Sequence, residues 1–592
     1  MIVCIAEKPS VARDLAEILG AKQRKDGYIE GNGYQVTWTI GHLCSLKDPE
    51  DYNPNWKFWK LEDLPIIPPK FDIKIKGDSG IHKQFKVIET LLQTASEVIN
   101  CGDAGQEGEL IQRWVLRACN YKGPLKRLWI SSLTEEAIKE GFAKLRSASE
   151  FENLYYAGFS RAIGDWLLGM NGTRLYSSKF GKGQVLSVGR VQTPTLAMIV
   201  QRQKEINAFK SEIYFDLKTK YRDVEFVWQK NRLTSKERAE EGLAYLKERP
   251  FEITDFEQKE GKEGNPRMYD LTSLQVDANK RYGYSADETL RHIQSLYEKK
   301  LVTYPRVDTT YLSEDLYPKI PTILQSLKGY EQLTASLLGK PIPKLKSVFD
   351  DKKITDHHAI IPTGVVPNGI SQEEQKVYDL VARRFIAVFY PECRVFQTTV
   401  LGKVGVIPFK TGGKQILDAG WKVVYADWQE KKSADKKAKE EEEKVLPHFE
   451  IGESGPHEPL VHQGKTSAPK PYTEATLLRA METAGKMVED EEMREIMKEN
   501  GIGRPSTRAA IIETLFKRQF IEKKKKNIFA TDRGMELIDT IQNDMLKSPE
   551  LTGQWEYKLR QIEKGNMSPS QFHLELSQMV RQLTDDVIFT NY

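Results

Sequence analysis

The first residues alternate abruptly between apolar and polar runs. Residues 2–6 (IVCIA) form a short apolar stretch that predicts a buried strand, broken by Glu7-Lys8-Pro9-Ser10. A helix is expected next, with Ser10 as its N-cap, Val11, Leu15 and Ile18 along one face and Gly20 as its stop. A second strand-like run at 97–101 (EVINC) ends in Gly102-Asp103-Ala104-Gly105-Gln106-Glu107-Gly108-Glu109 before another helix. Two strands that end in acidic loops and feed helices predict an open α/β sheet, whose ligands gather at the carboxyl ends of the strands.

Further along, two segments echo each other. Ser285-Ala286-Asp287-Glu288 reads as a capping box, and its helix carries Leu290, Ile293 and Tyr297 on one face. Lys299-Lys300 then leads into a strand-like LVTY ending at Tyr304. In the second segment Ser506 or Thr507 opens a helix through Ile511, Ile512 and Leu515, followed by Phe520-Ile521, Lys523–Lys526 and the run NIFAT. Both read as helix, turn and basic ribbon, the pattern of a winged helix. Residues 429–444 (QEKKSADKKAKEEEEK) are almost wholly polar and predict a solvated linker or an exposed hairpin tip.

Length and composition narrow the class without naming a function. The 592 residues exceed one core, so three to five domains are expected. No apolar run reaches the roughly 20 residues a membrane helix needs. The N-terminus has an early acid and no cleavage-site pattern, which argues against a secretory signal. The five cysteines, at 4, 44, 101, 119 and 393, form no CxxC pair, which argues against a zinc ribbon and a disulfide framework. A reducing cytoplasm is the expected compartment. A net charge of +4, from 88 basic and 84 acidic residues, shows no basic excess, so any grip on nucleic acid has to come from local patches.

The residues able to carry chemistry fall in two places. Tyr304 lies in Thr303-Tyr304-Pro305-Arg306-Val307-Asp308-Thr309 and, taken alone, reads as a strand-end aromatic beside a proline turn. As a nucleophile it would face a cost of about 4 kcal/mol to ionise at pH 7. Arg306, two residues on along an extended chain, projects to the same side and could offset part of that cost while gripping a phosphate bidentately. Glu7, Asp103 and Glu107 read either as acids complementing helix dipoles or as ligands for Mg²⁺, which is usually held by one or two carboxylates, water and phosphate oxygens. A P-loop is absent: Gly464-Lys465-Thr466 resembles its end, but Pro459 stands where the first glycine belongs.

Several motifs then fall into a recognisable order. AEKPSVAR at 6–13, GHL at 41–43, Asp103…Glu107-Gly108-Glu109, SVGRVQTPT at 187–195, TYPRVDT at 303–309, DHHAIIPT at 356–363 and GIGRPSTRAAIIETL at 501–515 together resemble the type IA DNA topoisomerases, nearest their topoisomerase III branch. The resemblance implies a multidomain α/β plus α+β chain, with an N-terminal Toprim domain followed by a ring with winged-helix-like modules. The expected division is a Toprim domain at 1–150, a single-strand-binding helical domain at 151–215 and 471–592, a β-rich arch at 216–275 and 406–470, and a winged-helix-like domain carrying the tyrosine at 276–405.

By the same resemblance Tyr304 is the nucleophile, leaving a 5′-phosphotyrosine link. Arg306 stabilises transition-state charge, Glu7 exchanges a proton with the leaving 3′-oxygen, Lys8 contacts phosphate, and His357 matches the family's active-site histidine. Ser187, Arg190, Gln192 and Arg508 are expected to contact DNA, and Glu7, Asp103 and Glu107 to hold Mg²⁺. The family pattern Asp-x-Asp-x-Glu is broken here, because Gly105 replaces the middle acid and Gln106 stands before the glutamate. One Mg²⁺ at lower affinity is therefore expected, without ATP or zinc. The substrate implied is single-stranded or underwound DNA, acted on by a monomer in the cytoplasm of a bacterium, with a RecQ-type helicase or a single-strand-binding protein as partner. Two other readings compete. A non-catalytic DNA-binding module would explain Gly105 but not the retained Glu7, Tyr304 and Arg306. A Toprim nuclease or primase would leave the tyrosine motif and the ring segments without a role.

Overall fold

The computed structural model describes residues 1–230, 232–354, 357–428, 443–487, 494, 497 and 501–589. Most of the polar stretch at 429–444, namely 429–442, lies outside the described residues, as does Asp356 at the head of the DHHAIIPT run.

The N-terminal apolar run forms the strand Ile2–Ala6, at the centre of a seven-stranded sheet with helices against it. It pairs in parallel with Tyr34–Trp38 on one side and Glu97–Cys101 on the other. The register sets Ala6 opposite Cys101, so the two strands end level and Glu7 emerges beside Gly102-Asp103. Side chains alternate between faces along this strand. Val3 and Ile5 enter a core shared with the long helix Glu152–Phe180 and the C-terminal helices, while Cys4 and Ala6 enter a core shared with the segment carrying Tyr304. One strand thus anchors two different bodies of the protein.

The helix after this strand spans Pro9–Leu19 and stops at Gly20, whose φ of 77° makes it a left-handed cap. Its N-cap is Lys8, not Ser10 as expected. Pro9 takes the first helical position, where its missing N–H costs nothing, and this places Ser10 inside the first turn.

A second seven-stranded sheet is built from strands including Ile213–Tyr221, Phe251–Glu263, Cys393–Val404 and Ile407–Asp418. Phe226, Phe251, Phe409 and Phe449 fill its own small core. Cys393–Val404 pairs along its length with Phe251–Glu263, so the sheet draws on residues placed by sequence in the 276–405 segment.

The two echoing segments turn out differently. The Ser285 capping box forms with Glu288 and starts the helix Ala286–Glu298. The LVTY run after it is not a strand. It makes one bridge, Val302 to Pro362, and its other backbone groups are split, with Thr303 N–H going to Ile361 O and Tyr304 N–H to Ser131 O. Pro305 offers no N–H to continue a ladder, so no wing forms at this place. In the second segment the hairpin Ile521–Lys524 with Asn527–Ala530 does form, after a helix Pro505–Lys517 whose N-cap is Arg504 instead of Ser506 or Thr507. No helix among the described residues is long and apolar enough to cross a membrane.

Candidate active site

The strand ends, the Tyr304 segment and the helical body meet around a cavity of about 430 Å³. Glu7, Asp103, Glu107, Arg190, Gln192, Tyr304, Arg306 and His357 all line it, although they come from positions up to 350 residues apart (357 minus 7). Lys8, Ser187 and Arg508 do not line it.

The acidic side is built by the sheet register. Glu7 Oε2 accepts from Asp103 N–H at 3.4 Å, so two carboxylates share one corner. Burial, and then the charge of Asp103, push the Glu7 carboxyl up to about 7, against the pull of Arg306 and Lys8. Asp103 is likewise raised by burial, opposed by Lys8, Arg306 and Arg127. Glu107 goes the other way. It sits on the first turn of the helix Gln106–Ala118 and bonds His42 Nε2 at 2.8 Å, which holds its carboxyl below the usual range.

The nucleophile candidate is enclosed. Tyr304 is 8% exposed, with its ring against His357 at 4.4 Å between centroids and against Tyr297 at 5.5 Å. Burial, then the nearby Asp103, hold its phenol well above 10, and Arg306 pulls it back down. The phenol is therefore neutral in this state. His357 also lies inside, with Nε2–H donating to the Ala104 carbonyl and Nδ1 accepting from Ser131 Oγ at 2.8 Å. Because the carbonyl can only accept, this fixes the tautomer. Burial pushes the imidazole down to about 3, so it is uncharged at neutral pH and works as a neutral donor and acceptor. His358 bonds the Ala359 carbonyl at 2.8 Å.

The opposite wall is cationic. Arg190 Nε donates to Asp165 at 3.0 Å, and its Nη1 to Glu556 at 3.0 Å. Arg161 Nη2 donates to the same Glu556 at 2.8 Å, and its Nε to Gln106 Oε1 at 3.0 Å. Arg504 stands 3.9 Å from Glu556. Burial raises the Glu556 carboxyl, but the guanidiniums of Arg161, Arg190 and Arg504 overcome it and hold the acid well below the carboxylate range. Three guanidiniums against Glu556 and Asp165 leave this wall with a net positive charge, the sign that a phosphate backbone attracts.

Three expected residues sit elsewhere. Lys8 pairs with Glu298 and reaches the acids only through space. Ser187 offers its carbonyl to Gln192 Nε2 at 3.4 Å. Arg508 is 2% exposed and donates to Thr272 Oγ1 at 2.8 Å and to the Ile502 carbonyl at 3.2 Å, so its guanidinium is spent inside the protein. Arg161, Arg504 and His42 were missed. Arg504 and His42 belong to motifs already recognised, at 501–515 and 41–43, whereas no sequence signal marks Arg161 within its long helix.

Comparison with known proteins gives this geometry its family. A Toprim domain model matches residues 2–133 and a DNA topoisomerase model matches residues 149–573. The chain belongs to the type IA DNA topoisomerases. It is 40% identical over 601 residues to a DNA topoisomerase 3 of Bacillus cereus, covering 99% of this chain and 81% of the relative. A DNA topoisomerase 3 of Bacillus licheniformis is 40% identical over 606 residues, covering 100% and 82%. Full-length topoisomerase I from Thermotoga maritima shares the fold, with a TM-score of 0.74 at 21% identity over 98% of this chain and 90% of that one.

As a type IA topoisomerase the chain is an isomerase of DNA topology, and ATP-independent passage of single strands is the general activity of its family. Toprim domains generally bind Mg²⁺. The residues here fit such an ion through the chemistry of their donors. Glu7 and Asp103 offer hard oxygens in one corner, and the rise of both carboxyls reflects repulsion and burial that a divalent cation relieves. Among the described residues no group of three His, Cys, Asp or Glu side chains converges as a finished metal shell. The Cβ position of Gly105, where a third acid would stand, is open space.

Proposed function

We propose that this topoisomerase cuts one DNA strand with Tyr304, passes a strand through the break and reseals it, relaxing negative supercoils or decatenating DNA. The observation that carries this reading is the convergence of Tyr304 and Arg306 with Glu7 and Asp103 in one cavity. The Tyr304 hydroxyl attacks the phosphorus and gives up its proton to solvent. The bond from phosphorus to the 3′-oxygen breaks, and the 5′-phosphate stays on the tyrosine. Glu7 protonates the departing 3′-oxygen. A carboxyl held near 7 is well matched to that task, since a general acid works best when its pKa lies near the working pH. Resealing reverses each step, with Glu7 taking the proton back.

Arg306 faces the attacked phosphate and stabilises its added charge. His357, uncharged and doubly hydrogen-bonded, positions the tyrosine ring instead of carrying a proton. Arg190 holds the cationic wall together, with Gln192 beside it, and Arg161 and Arg504 meet the strand's phosphates. Asp103 and Glu7 would hold one Mg²⁺, joined by Glu107 once it leaves His42, and the ion when bound would neutralise the carboxylates and help orient phosphate oxygens. Single-stranded DNA is the substrate. A monomer supplies every group, and a RecQ-type helicase or single-strand-binding protein that exposes unpaired DNA fits as partner.

The test is to mix the protein with end-labelled single-stranded DNA and Mg²⁺, denature, and look for label bound covalently to protein. Tyr304→Phe loses the adduct while still binding DNA. Free fragments without an adduct would instead indicate a Toprim nuclease, and DNA binding with no reaction a non-catalytic module.

A further inference from the structure

Three successive carbonyls of the acidic loop are gripped from two sides. Arg127, fully buried in the sheet, donates Nη1–H to Gly102 O at 2.6 Å and Nη2–H to Asp103 O at 2.8 Å. The next carbonyl, that of Ala104, receives its hydrogen bond from His357, which belongs to the other body. Between these two donors stands Trp129. The Arg127 guanidinium lies 5.0 Å from its ring centroid and Phe151 stacks behind it at 4.7 Å. The His357 imidazole lies parallel to the indole within 8°, with 6.2 Å between ring centroids.

We propose that Trp129 is a positioning residue for the cleavage reaction: its indole sets the plane of the His357 ring, and through that ring ties the docked Tyr304 to the acidic loop. The proposal rests on the reading of Tyr304 as nucleophile. An imidazole that must donate to Ala104 O and accept from Ser131 Oγ at once can do so in one ring plane only. Rotation about its χ2 torsion is otherwise soft, because torsions onto flat rings have broad wells. A parallel indole, itself braced by Phe151 and Arg127, removes that freedom. The same imidazole packs on Tyr304, so its plane also fixes the phenol. The third carbonyl of the loop is held only while the Tyr304 segment is docked, and Trp129 stands at that joint.

The experiment measures single-turnover adduct formation on a labelled single-stranded oligonucleotide, and binding of the same oligonucleotide, for Trp129→Leu, Trp129→Phe, His357→Ala and Trp129→Leu combined with His357→Ala. Trp129→Leu is expected to slow adduct formation about tenfold, as loss of orientation does, with binding unchanged. Trp129→Phe keeps a flat ring and recovers most of the rate. The double variant is no slower than His357→Ala alone, because the tryptophan acts through the histidine. A wild-type rate for Trp129→Leu, losses that multiply in the double variant, or an equal loss of binding would each overturn the proposal. An adduct that survives Tyr304→Phe overturns the nucleophile reading as well. Loss of that adduct alongside a normal Trp129→Leu overturns the Trp129 role alone.

Discussion

Gly105→Asp restores the acid that this loop lacks, and the structure allows the consequence to be worked through. Gly105 has φ 170°, extended backbone that any residue adopts, and a Cβ built there meets nothing within 4 Å. It is also the N-cap of the helix Gln106–Ala118, where aspartate is a favoured residue. The substitution therefore adds charge without strain. A carboxylate about 5 Å from a divalent ion gains roughly 6 kcal/mol at an effective dielectric of about 20. Desolvation and repulsion from Asp103 and Glu7 consume most of that gain. About 1 to 2 kcal/mol should remain, which lowers the Mg²⁺ concentration for half-maximal activity by about five- to thirtyfold. The assay follows covalent adduct on a single-stranded oligonucleotide against free Mg²⁺, with Gly105→Ala as the uncharged control. If Gly105→Asp and Gly105→Ala give the same half-saturating Mg²⁺ as wild type, the missing acid does not govern metal affinity and the reasoning fails.

Glu556→Gln leaves Arg161, Arg190 and Arg504 facing one another, and should cost about 3 to 5 kcal/mol of stability at neutral pH, read as a fall in melting temperature. Because the folded carboxyl is held below its unfolded value, its contribution is present above about pH 4.3 and is lost as pH falls through the depressed folded value. The gap between wild type and variant should therefore close in acid, and a gap that widens there would contradict the assignment. Arg508→Ala should lower the melting temperature through the lost bonds to Thr272 and Ile502 while changing single-strand affinity less than twofold, and a loss of affinity without a loss of stability would return Arg508 to the DNA interface. Without Mg²⁺, burial and Asp103 raise Glu7 to about 7, so adduct formation in chelator should fall as pH rises through that value; added Mg²⁺ should shift this limb to lower pH, and Glu7→Gln should remove it.

Local signals in the sequence foretold local structure well. Five apolar residues at 2–6, a glycine stop at 20 and the Ser285 box correspond to a strand, a left-handed cap and a capped helix, because each depends on neighbours within one turn. The Ser10 cap failed on the same scale, since Pro9 outcompetes it for the helix start. The LVTY run failed for a different reason. Its β-favouring residues find carbonyl partners at Ser131 and Ile361, which no local pattern reveals, and tertiary bonding overrides propensity. The ordered motifs located Glu7, Asp103, Tyr304, Arg306 and His357, yet they could not separate Arg504, which faces the cavity, from Arg508 four residues on, which is buried behind it. Arg161 and Trp129 carry no motif. Their places follow from partners at 556 and 357, distances along the chain that a single sequence does not encode.

The division of the site between two bodies bears on how strand passage can be safe. Tyr304, Arg306 and His357 come from one side, and Glu7, Asp103 and Glu107 from the other. Polar links across the joint include Lys8 with Glu298, Lys300 with Asp14 at 2.9 Å and Lys319 with Glu136 at 3.4 Å. Lys319 and Glu136 are well exposed and their pair is worth little, whereas the other two pairs are partly buried and hold the joint more firmly. On the proposed mechanism, parting would carry a phosphotyrosine at Tyr304 away from the acid that protonates the leaving group and from the carboxylates that would hold a cation. It also withdraws His357 from Ala104, releasing the third carbonyl of the acidic loop. On that proposal an open break would be chemically idle: the groups able to attack or release the phosphate would be complete only when the two bodies meet again, which is when the waiting 3′-hydroxyl has returned.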